Sequence, residues 1–440
     1  MSETIHLDQL VDPFEAKVVV VRDGAGSIVD ARFDLAGLPR LDPMLVGKDV
    51  AGVPDLVKML CGICPVAHHL AGVAALESLA GIAPDDLPRP VRDQRLLLHH
   101  GSVLDSLASR FIGRDRDLAV RLRRLGKLAM KAAGAPGHFP DVAVPGGVRV
   151  PVDAGALAEL AAQLPSLDDD LASLLVALPS SAAGASSGAR FDGLDVAGVD
   201  ARGKLDPLGG YVGLIGEAGN GGGVDETMPA SEWASRVKET RPGAPDPRPV
   251  IELEATNGSG VRAWNYRVGP ISRARFREAG AATNDPFEAQ LLTLSDSVAA
   301  LMGLAEALAE GSSGASEAST ADAGTWASSS MRAGTGIGVV DGPRGLLAHE
   351  YAVDEAGTVT SCRILTPTAQ NEGWLAGMLR ASLAGAGAGA GEKEAWAESA
   401  IRAADPCLPC TSAPEGGMGV KLEDEQDEPG EPGEQNEGGR

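Results

Sequence analysis

Apolar residues recur three or four residues apart along several long stretches of the 440-residue chain. The clearest run follows Pro65, where Val66, Leu70, Val73 and Leu76 fall on one face of an α-helix, and proline suits the first turn of such a helix. Similar patterns predict further helices over residues 92–109, 115–133, 155–178, 283–310 and 392–404. The pattern therefore predicts a mainly helical core.

Segments that favour β-strands are fewer and shorter. Residues 17–22 (KVVVVR) and 27–33 (SIVDARF) are joined by the turn-forming sequence DGAG, and this arrangement predicts an N-terminal hairpin. Strand-like residues 351–353 and 358–365 come much later, and Thr366 after them opens a short helix. We therefore expect an α+β protein that is mainly α with small β elements.

Composition divides the chain further. Residues 180–247 are rich in Gly, Ser and Pro and are predicted to be mostly loop, with flexible insertions near 180–225 and 311–330. Beyond residue 413 the chain consists largely of Gly, Glu, Asp and Pro, which cannot bury enough apolar surface to fold. We expect one domain over residues 1–413 and an acidic, disordered tail over residues 414–440.

The charge balance excludes some classes of partner. The net charge is −23, and the acidic tail supplies a large part of it, which argues against binding to nucleic acid or to an anionic membrane. The first residues (MSETIHLDQL) lack a basic region followed by an apolar run, so no signal peptide is expected. The sequence contains no stretch of about eighteen apolar residues, which argues against a membrane-spanning helix. We expect a cytoplasmic protein that reaches a membrane, or is exported, only through a partner subunit.

Four of the five cysteines form two Cys-x-x-Cys pairs at opposite ends of the chain: Cys61 with Cys64, and Cys407 with Cys410. Four thiolates are a common way to hold a soft metal ion, and such pairs fit a reducing compartment better than a disulfide framework. The two pairs can hold one metal through four sulfurs, or two metals if one sulfur of each pair bridges them. Cys362 is left over, and we expect it to be a buried apolar residue rather than a ligand.

The residues around both pairs carry a resemblance to a known family. Cys61-Gly-Ile-Cys-Pro-Val-Ala-His68 and Asp405-Pro-Cys-Leu-Pro-Cys410 closely resemble the two metal-binding signatures of nickel–iron hydrogenase large subunits. The N-terminal hairpin and the segment 266–273 (YRVGPISR) are also similar to family segments. The resemblance implies the helical core of that family and heterolysis of H2 into a proton and a hydride. Electrons would pass to the clusters of an iron–sulfur small subunit.

The resemblance also implies a ligand set. By motif position, Cys61 and Cys407 would be terminal nickel ligands, while Cys64 and Cys410 would bridge nickel to an iron that carries two cyanides and one carbon monoxide. Such a centre keeps a net negative charge, and a buried negative charge needs nearby cations or hydrogen-bond donors.

Other residues match family positions around that centre. Arg344, which follows Pro343, matches an arginine that reaches over the diatomic ligands of the iron, and Thr368 matches a hydroxyl that contacts cyanide. His68 matches a histidine that hydrogen-bonds a bridging sulfur, and Asp405 precedes the second cysteine pair as in the family. These five residues are therefore candidates for binding or catalysis.

The chain departs from the family at several positions. Met59 replaces an arginine, and Ala413 stands where a histidine or arginine marks the cleavage point of a C-terminal protease. Glu15 falls at a proton-relay glutamate in altered surroundings, and Asp42 replaces a glutamate that binds a magnesium-type ion. The resemblance further implies maturation proteins that insert nickel and remove the tail.

Three interpretations follow. The first is a catalytic large subunit of a nickel–iron hydrogenase. The second is a hydrogenase-like accessory or scaffold protein that carries the iron–cyanide unit during assembly, and the changes at Met59 and Ala413 favour it. The third is a structural four-cysteine zinc protein, although zinc motifs usually close over tens of residues rather than hundreds.

Overall fold

The computed structural model describes residues 15–34, 42–178, 191–217, 223–241, 247–254, 260–277, 283–312, 333–385, 389–414 and 416–426. Within them 49% of residues are helical and 26% lie in strands. The predicted α+β class is confirmed, with a larger share of sheet than the sequence pattern suggests. Residues 313–332 lie outside the described part, and they hold all of the insertion predicted near 311–330 except its first two residues, which end a helix.

Helices make up the larger part of the fold. They are α1 Asp42–Leu45, α2 Val53–Val57, α3 Pro65–Ala80, α4 Arg89–Leu107, α5 Arg116–Ala132, α6 Ala154–Ala177, α7 Ala230–Arg236, α8 Pro270–Arg275, α9 Pro286–Ser312, α10 Pro367–Gln370, α11 Glu372–Gly385 and α12 Ala390–Ala404. The six long helices predicted from periodicity are confirmed. Each predicted helix end lies within three residues of the observed end.

The described residues contain fifteen strands. They are β1 Glu15–Arg22, β2 Ile28–Phe33, β3 Ala143–Val144, β4 Gly147–Val148, β5 Leu194–Val199, β6 Tyr211–Glu217, β7 Gly223–Pro229, β8 Val237–Glu239, β9 Pro249–Glu254, β10 Val261–Trp264, β11 Tyr266–Val268, β12 Gly334–Gly342, β13 Gly345–Val353, β14 Val359–Leu365 and β15 Gly419–Gln426. Their sheets have the orders β15-β1-β2, β10-β9-β8, β11-β5-β6-β7, β12-β13-β14 and β3-β4.

The largest core lies between α3, α4, α5, α6 and α9. One part of α9, Pro286–Glu310, is long and apolar enough to cross a membrane by length and composition alone. Half of its apolar window is buried inside the protein. Its leucines, among them Leu291 and Leu301, pack in the core. Burial within the helical bundle therefore accounts for the apolar character of this helix.

Helix α3 lies directly on strand β12. A Cβ atom added to Gly338 would come within 2.1 Å of the carbonyl oxygen of Ala71, and one added to Gly336 within 2.3 Å of that of Ala75. Both positions therefore need glycine, because only glycine lets the strand backbone approach the helix so closely. This contact fixes the N-terminus of α3 beside the turn between β12 and β13, where the candidate site lies.

The structure corrects the prediction of loop over residues 180–247. Strands β5, β6, β7 and β8 and helix α7 fall in this region, and the flexible insertion predicted near 180–225 contains β5 and β6. Some of the glycines that suggested loop, among them Gly198 and Gly213, lie inside strands instead. A Cβ at Gly213 would come within 2.5 Å of Phe276, and one at Gly198 within 2.9 Å of Asp341. Glycine here permits close packing rather than a turn.

The predicted N-terminal hairpin, β1 with β2, is confirmed, and it has a third strand. β15 pairs parallel to β1, with Glu15 opposite Gly419 and Arg22 opposite Gln426. The prediction of a disordered tail is therefore wrong for this segment. Its apolar residues Met418 and Val420 are buried against the hairpin, and Lys17 pairs with Glu423 at 2.9 Å. The acidic composition hid this short amphipathic segment.

Candidate metal centre

Three cysteines from the two ends of the chain meet beside the N-terminus of α3. The sulfur of Cys61 lies 3.4 Å from that of Cys64 and 3.5 Å from that of Cys407, and the Cys64 and Cys407 sulfurs are 3.3 Å apart. Cys64 is the N-cap of α3, with Pro65 as its first residue, as the sequence predicts. Cys407 lies just after α12, which ends at Ala404.

The three thiols share their protons. Hydrogen bonds from Cys407 and Cys64 lower the pKa of the Cys61 thiol. The same contacts raise the pKa of Cys64 well above its usual value, because a second negative charge would lie beside the first. The contact with Cys61 likewise raises the pKa of Cys407, to about 12. A cation placed among these sulfurs would remove that repulsion and favour all three thiolates.

Cys410 stands apart from the other three sulfurs. It lies in the 3-10 turn Pro409–Ser412 and exposes 2% of its surface. Burial raises the pKa of its thiol to about 11, and no other cysteine contributes to that shift. Among the described residues, the hydrogen-bond contacts between sulfurs join Cys61, Cys64 and Cys407 alone. The structure therefore brings together three of the four predicted ligands.

His68 projects from the first turns of α3 toward the same cluster. Its ligand nitrogen lies within 4.8 Å of the Cys61 and Cys64 sulfurs, and its proximity helps to lower the pKa of Cys61. The resemblance gives this histidine a hydrogen bond to a bridging sulfur, and that role stays a prediction. The imidazole exposes 4% of its surface, so it contributes a buried donor or acceptor to the site.

Arg344 and Asp405 form a buried ion pair beside the sulfur cluster. Nε of Arg344 donates to Oδ1 of Asp405 at 3.1 Å, and its Nη1 donates to Ser106 Oγ at 2.7 Å. Burial lowers the pKa of Arg344, but the negative groups of Asp405, Cys407 and Cys64 outweigh it and raise that pKa. A permanently charged guanidinium therefore faces the sulfur cluster. Arg110 forms a second ion pair with the same carboxylate.

The backbone around Asp405 turns the chain into the second cysteine pair. Asp405 caps the C-terminus of α12 in the left-handed conformation, with φ +47°, which aspartate tolerates better than most residues. The backbone N–H of Cys407 then donates to Thr368 Oγ1 at 2.9 Å. Thr368 lies in α10, so this hydrogen bond ties the cysteine loop to the end of β14.

Two further contacts hold the loops that carry site residues. Arg273 donates to the carbonyl oxygens of Gly342 and Pro343, both at 2.9 Å, and so fixes the turn that presents Arg344. Nε2 of His138 lies 2.7 Å from the carbonyl oxygen of Gly62, between the first two cysteines. His138 therefore makes a hydrogen bond to the loop.

Two predicted site residues are described at the level of the backbone only. Glu15 is the first residue of β1, and Asp42 is the first residue of α1. β1 is the strand that pairs with β15, and α1 lies against β14. Their assignments to proton relay and to a magnesium-type ion stay predictions.

Several residues of the site were missed in the sequence. Ser106 lies in the last turn of α4, Arg110 lies in the 3-10 turn Ala108–Phe111 that follows it, and Gln290 from α9 contacts Asp405 at 3.5 Å. His349 and Tyr351 line up behind His68. The signals for these residues are weak, because each is a single polar residue in an apolar segment and its partner is up to 295 residues away. Buried arginine at a helix end is the one feature that could have drawn attention to Arg110.

Comparison with known proteins finds hydrogenase subunits that are similar to this chain over most of its length. No protein-family model matches the chain. It is 26% identical to a subunit of the F420-non-reducing hydrogenase of Methanothermobacter marburgensis, over 90% of this chain and 92% of that protein. It is 23% identical to the beta subunit of the NAD-reducing hydrogenase HoxS of Cupriavidus necator, over 91% of this chain and 93% of that protein.

Solved structures give the same result for the fold. The chain superposes on a NAD+-reducing [NiFe]-hydrogenase with a TM-score of 0.73 and 23% identity, covering 89% of this chain and 95% of that one. For the Ni-Fe-Se hydrogenase from D. vulgaris Hildenborough the TM-score is 0.60 and the identity is 18%. That superposition covers 88% of this chain and 95% of the other. These likenesses extend over nearly the whole of each chain. They show that this chain has the fold of these hydrogenase chains, and its paired cysteine motifs resemble those of nickel–iron hydrogenase large subunits.

Proposed function

We propose that the chain is the catalytic large subunit of a nickel–iron hydrogenase, which oxidises H2 or reduces protons at a nickel–iron centre. The observation that carries this proposal is the meeting of Cys61, Cys64 and Cys407, drawn from opposite ends of the chain, within 3.3 to 3.5 Å of one another. A buried arginine faces them.

The sulfur spacing fits metal ligation. Two sulfurs about 2.3 Å from one metal ion are about 3.3 Å apart at a right angle and about 3.8 Å apart at the tetrahedral angle. The observed separations fall within that range, and the sulfurs are not joined by a disulfide. Soft thiolates suit nickel, iron and zinc alike. The likeness of the chain to a solved [NiFe]-hydrogenase over 89% of its length favours nickel and iron over a structural zinc ion.

The residues around the sulfurs have matching roles. A nickel–iron pair, when bound, supplies heterolysis of H2. The four cysteines would hold it, with Cys64 and Cys410 shared between the metals, and Cys410 would have to approach the other three. Arg344 would offset the negative charge of the thiolates and donate hydrogen bonds to cyanide on the iron. Thr368 keeps its hydroxyl proton free for the same ligands while its oxygen accepts from Cys407.

Proton transfer and a second metal belong to the same proposal. Glu15 would relay protons between the centre and solvent, and Asp42 would bind a magnesium-type ion. Asp405 holds Arg344 and Arg110 in place through buried ion pairs. It therefore acts as a positioning residue for the guanidinium above the sulfur cluster.

A large subunit needs an electron-transfer partner. We propose an iron–sulfur small subunit, since one partial relative, from Archaeoglobus profundus, is named as an iron-sulfur subunit of F420-non-reducing hydrogenase. Met59, two residues before Cys61, is 58% exposed and offers apolar surface beside the site for such a partner. We place the protein in the cytoplasm, or at a membrane only through a partner subunit.

Maturation forms a further part of the proposal. Nickel-insertion proteins and a C-terminal protease would act on the chain, with cleavage after Ala413 releasing β15. Cys410 lies three residues before that point, so release of the tail would allow its turn to move toward the other sulfurs. Mass spectrometry of the active protein tests this step: a chain ending at Ala413 supports it, and an intact tail in active protein contradicts it.

The second candidate is a scaffold that carries the iron–cyanide unit during assembly. The separate position of Cys410 favours it, as do Met59 and Ala413 in place of the basic residues of the family. Metal content separates the two functions. A catalytic subunit should contain nickel and iron at about one each per chain, whereas a scaffold should contain iron without nickel.

The experiment uses the chain purified with its small subunit. We expect nickel, iron, H2-dependent dye reduction, and infrared bands from cyanide and carbon monoxide. Cys61→Ser should lose nickel and activity, while Cys362→Ser, which alters the one cysteine outside the two motifs, should retain both. Absence of the infrared bands in the unaltered protein would remove both hydrogenase functions.

A further inference from the structure

Arg344 lies at the tip of a hairpin, and the backbone of that tip is held by residues 268–273, a segment that we call the socket. Strands β12 and β13 are joined by two residues, since Gly342 pairs with Gly345. The two residues between them, Pro343 and Arg344, form the tip. The position of the Arg344 guanidinium therefore depends on what holds the backbone of this short turn.

Arg273, in the socket, binds three consecutive residues that lead into the tip. Its Nη1 donates to Oδ1 of Asp341 at 2.5 Å and to the carbonyl oxygen of Gly342 at 2.9 Å. Its Nη2 donates to the carbonyl oxygen of Pro343, also at 2.9 Å. The carboxylate is itself fixed, because Asp341 is 3% exposed and its Oδ2 accepts from the backbone N–H of Gly198 at 2.9 Å. One planar guanidinium thus connects a buried anion to the backbone of the tip.

Two glycines bring the tip against the backbone of the socket. A Cβ atom added to Gly269, whose φ is +111°, would lie 2.6 Å from the carbonyl oxygen of Arg344. One added to Gly345, whose φ is +129°, would lie 2.8 Å from the backbone nitrogen of Gly269. The preceding socket residue, Val268, is held by Asn371, whose Oδ1 accepts from its N–H at 2.8 Å and whose Nδ2 donates to its carbonyl oxygen at 3.1 Å. The tip therefore lies on backbone that is itself anchored.

We propose that Arg273 is a positioning residue for the metal centre and acts through Arg344. By holding the carbonyl oxygens that precede Arg344, it fixes the place from which that side chain reaches Asp405 and Ser106. The Arg344 guanidinium would offset the charge of the thiolates and donate to the iron ligands, so a displaced tip would change the surroundings of the metals. This inference deepens the proposed function and rests on it for the effect on the metals.

Arg273→Lys is the variant that tests this role. Lysine keeps a positive charge near Asp341 but lacks the planar fork that reaches a carboxylate and two carbonyl oxygens at once. Arg267→Lys is the matched control, because Arg267 is also buried and its hydrogen bonds go to Asp195 and Asn284 instead of the tip. Both variants therefore weaken a buried ion pair, and only Arg273→Lys weakens the hold on the tip.

The first arm of the test is NMR of arginine side chains in the metal-free, full-length chain, with signals assigned by their loss in Arg344→Lys and Arg273→Lys. In the unaltered protein the two Nη groups of Arg273 should give separate signals, because their hydrogen bonds stop the guanidinium from rotating. A single averaged signal would overturn the proposal, whether or not the variant folds.

The same arm follows the Nε–H group of Arg344. Arg273→Lys should shift its signal and speed its exchange with water by about tenfold, because the side chain opens more often when the tip is released. Arg267→Lys should leave the signal and its exchange unchanged. An Arg344 signal that does not respond to Arg273→Lys contradicts the proposal. Equal responses to both variants would show a general loosening of the core and contradict it as well.

The second arm uses the metal-loaded protein purified with its small subunit. Arg273→Lys should shift the infrared bands of the iron ligands, and Arg267→Lys should not. If the unaltered protein shows no such bands, the proposed function fails while the NMR arm still decides whether Arg273 positions Arg344. If the bands are present but do not respond to Arg273→Lys, the metal centre stands and the role of Arg273 at that centre is wrong.

Discussion

Asp405 carries more charge pairing than any other residue of the site. Its carboxylate, 5% exposed as a residue, pairs with both Arg344 and Arg110 and also contacts Gln290. Two guanidinium groups therefore depend on one buried anion. Removing one partner of a buried pair is costly because it leaves uncompensated charge away from water.

We predict that Asp405→Asn lowers the free energy of unfolding of the metal-free protein by about 3–5 kcal/mol. Asp170→Asn provides a matched control, because Asp170 pairs with Arg121 at the surface, where its side chain is 53% exposed. Surface pairs contribute about 1 kcal/mol or less. Urea unfolding of both variants tests the difference, and equal losses would contradict the arrangement around Asp405.

His69 makes stability depend on pH. It exposes 1% of its surface, and Nε2 accepts a hydrogen bond from the backbone N–H of Ala143 at 3.1 Å. Burial, assisted by Lys58, lowers its pKa from 6.5 to about 4. Between these values the unfolded chain takes up a proton that the folded protein does not, so the free energy of unfolding falls as the pH falls from 6.5 to 4.

The full loss from His69 is about 3 kcal/mol, since one pKa unit corresponds to about 1.4 kcal/mol. His69→Gln keeps an oxygen acceptor for Ala143 but cannot be protonated. We therefore predict a shallower decline of stability with falling pH for this variant. Chemical denaturation at several pH values measures both slopes, and parallel slopes would show that His69 does not contribute.

At this scale the sequence predicted the residues that belong to short motifs. The cysteine pairs, His68 and Arg344 lie in segments where neighbouring residues restrict the interpretation. Arg110 could not be found in that way. It is 295 residues from Asp405 in the chain, so only the folded structure brings the two groups together.

Among the helices, α4 and α5 cross at an unusually short distance. A Cβ atom on Gly126 would lie 2.6 Å from the backbone nitrogen of Asp105 and 2.6 Å from the carbonyl oxygen of Gly101. Alanine favours helices over glycine by about 1 kcal/mol, so the glycine must be required by packing. The crossing holds the part of α4 that carries Ser106 and leads to Arg110.

We predict that Gly126→Ala is destabilising by about 2 kcal/mol despite its better helix propensity, because the added methyl group meets backbone rather than a movable side chain. Gly303→Ala in α9 is the matched control, since a Cβ there meets nothing within 4 Å. That variant should be stabilised by up to about 1 kcal/mol. Thermal unfolding compares the two, and a stabilised Gly126→Ala would contradict the close crossing.

The elements themselves were predicted unevenly. Long helices were found because periodic apolar residues repeat over many turns. Strands β5 to β7 were missed because Gly198, Gly213 and Gly216 resemble turn residues until their packing partners are known. Strand β15 was missed for a different reason: acidic residues dominate its surroundings, and only its ion pairs and two buried apolar residues reveal a folded segment.

Across the whole molecule, β15 connects the end of the described chain to its beginning. We predict that truncation after Ala413 lowers the free energy of unfolding of the metal-free protein by about 2–4 kcal/mol, because Met418 and Val420 lose their burial. It should also speed hydrogen exchange in β1. Truncation after Gln426, which keeps the strand, is the control and should change stability by less than about 0.5 kcal/mol.

The distance along the chain between Cys61 and Cys407 has a consequence for biosynthesis. These residues are 346 positions apart, so their contact cannot form until nearly all of the chain has left the ribosome. At 5–20 residues per second, the first cysteine pair waits roughly 20–70 s for the second. During that interval two neighbouring thiols stand without their partner, open to oxidation or to capture by the wrong ion. A chaperone that shields a nascent polypeptide would act within this time.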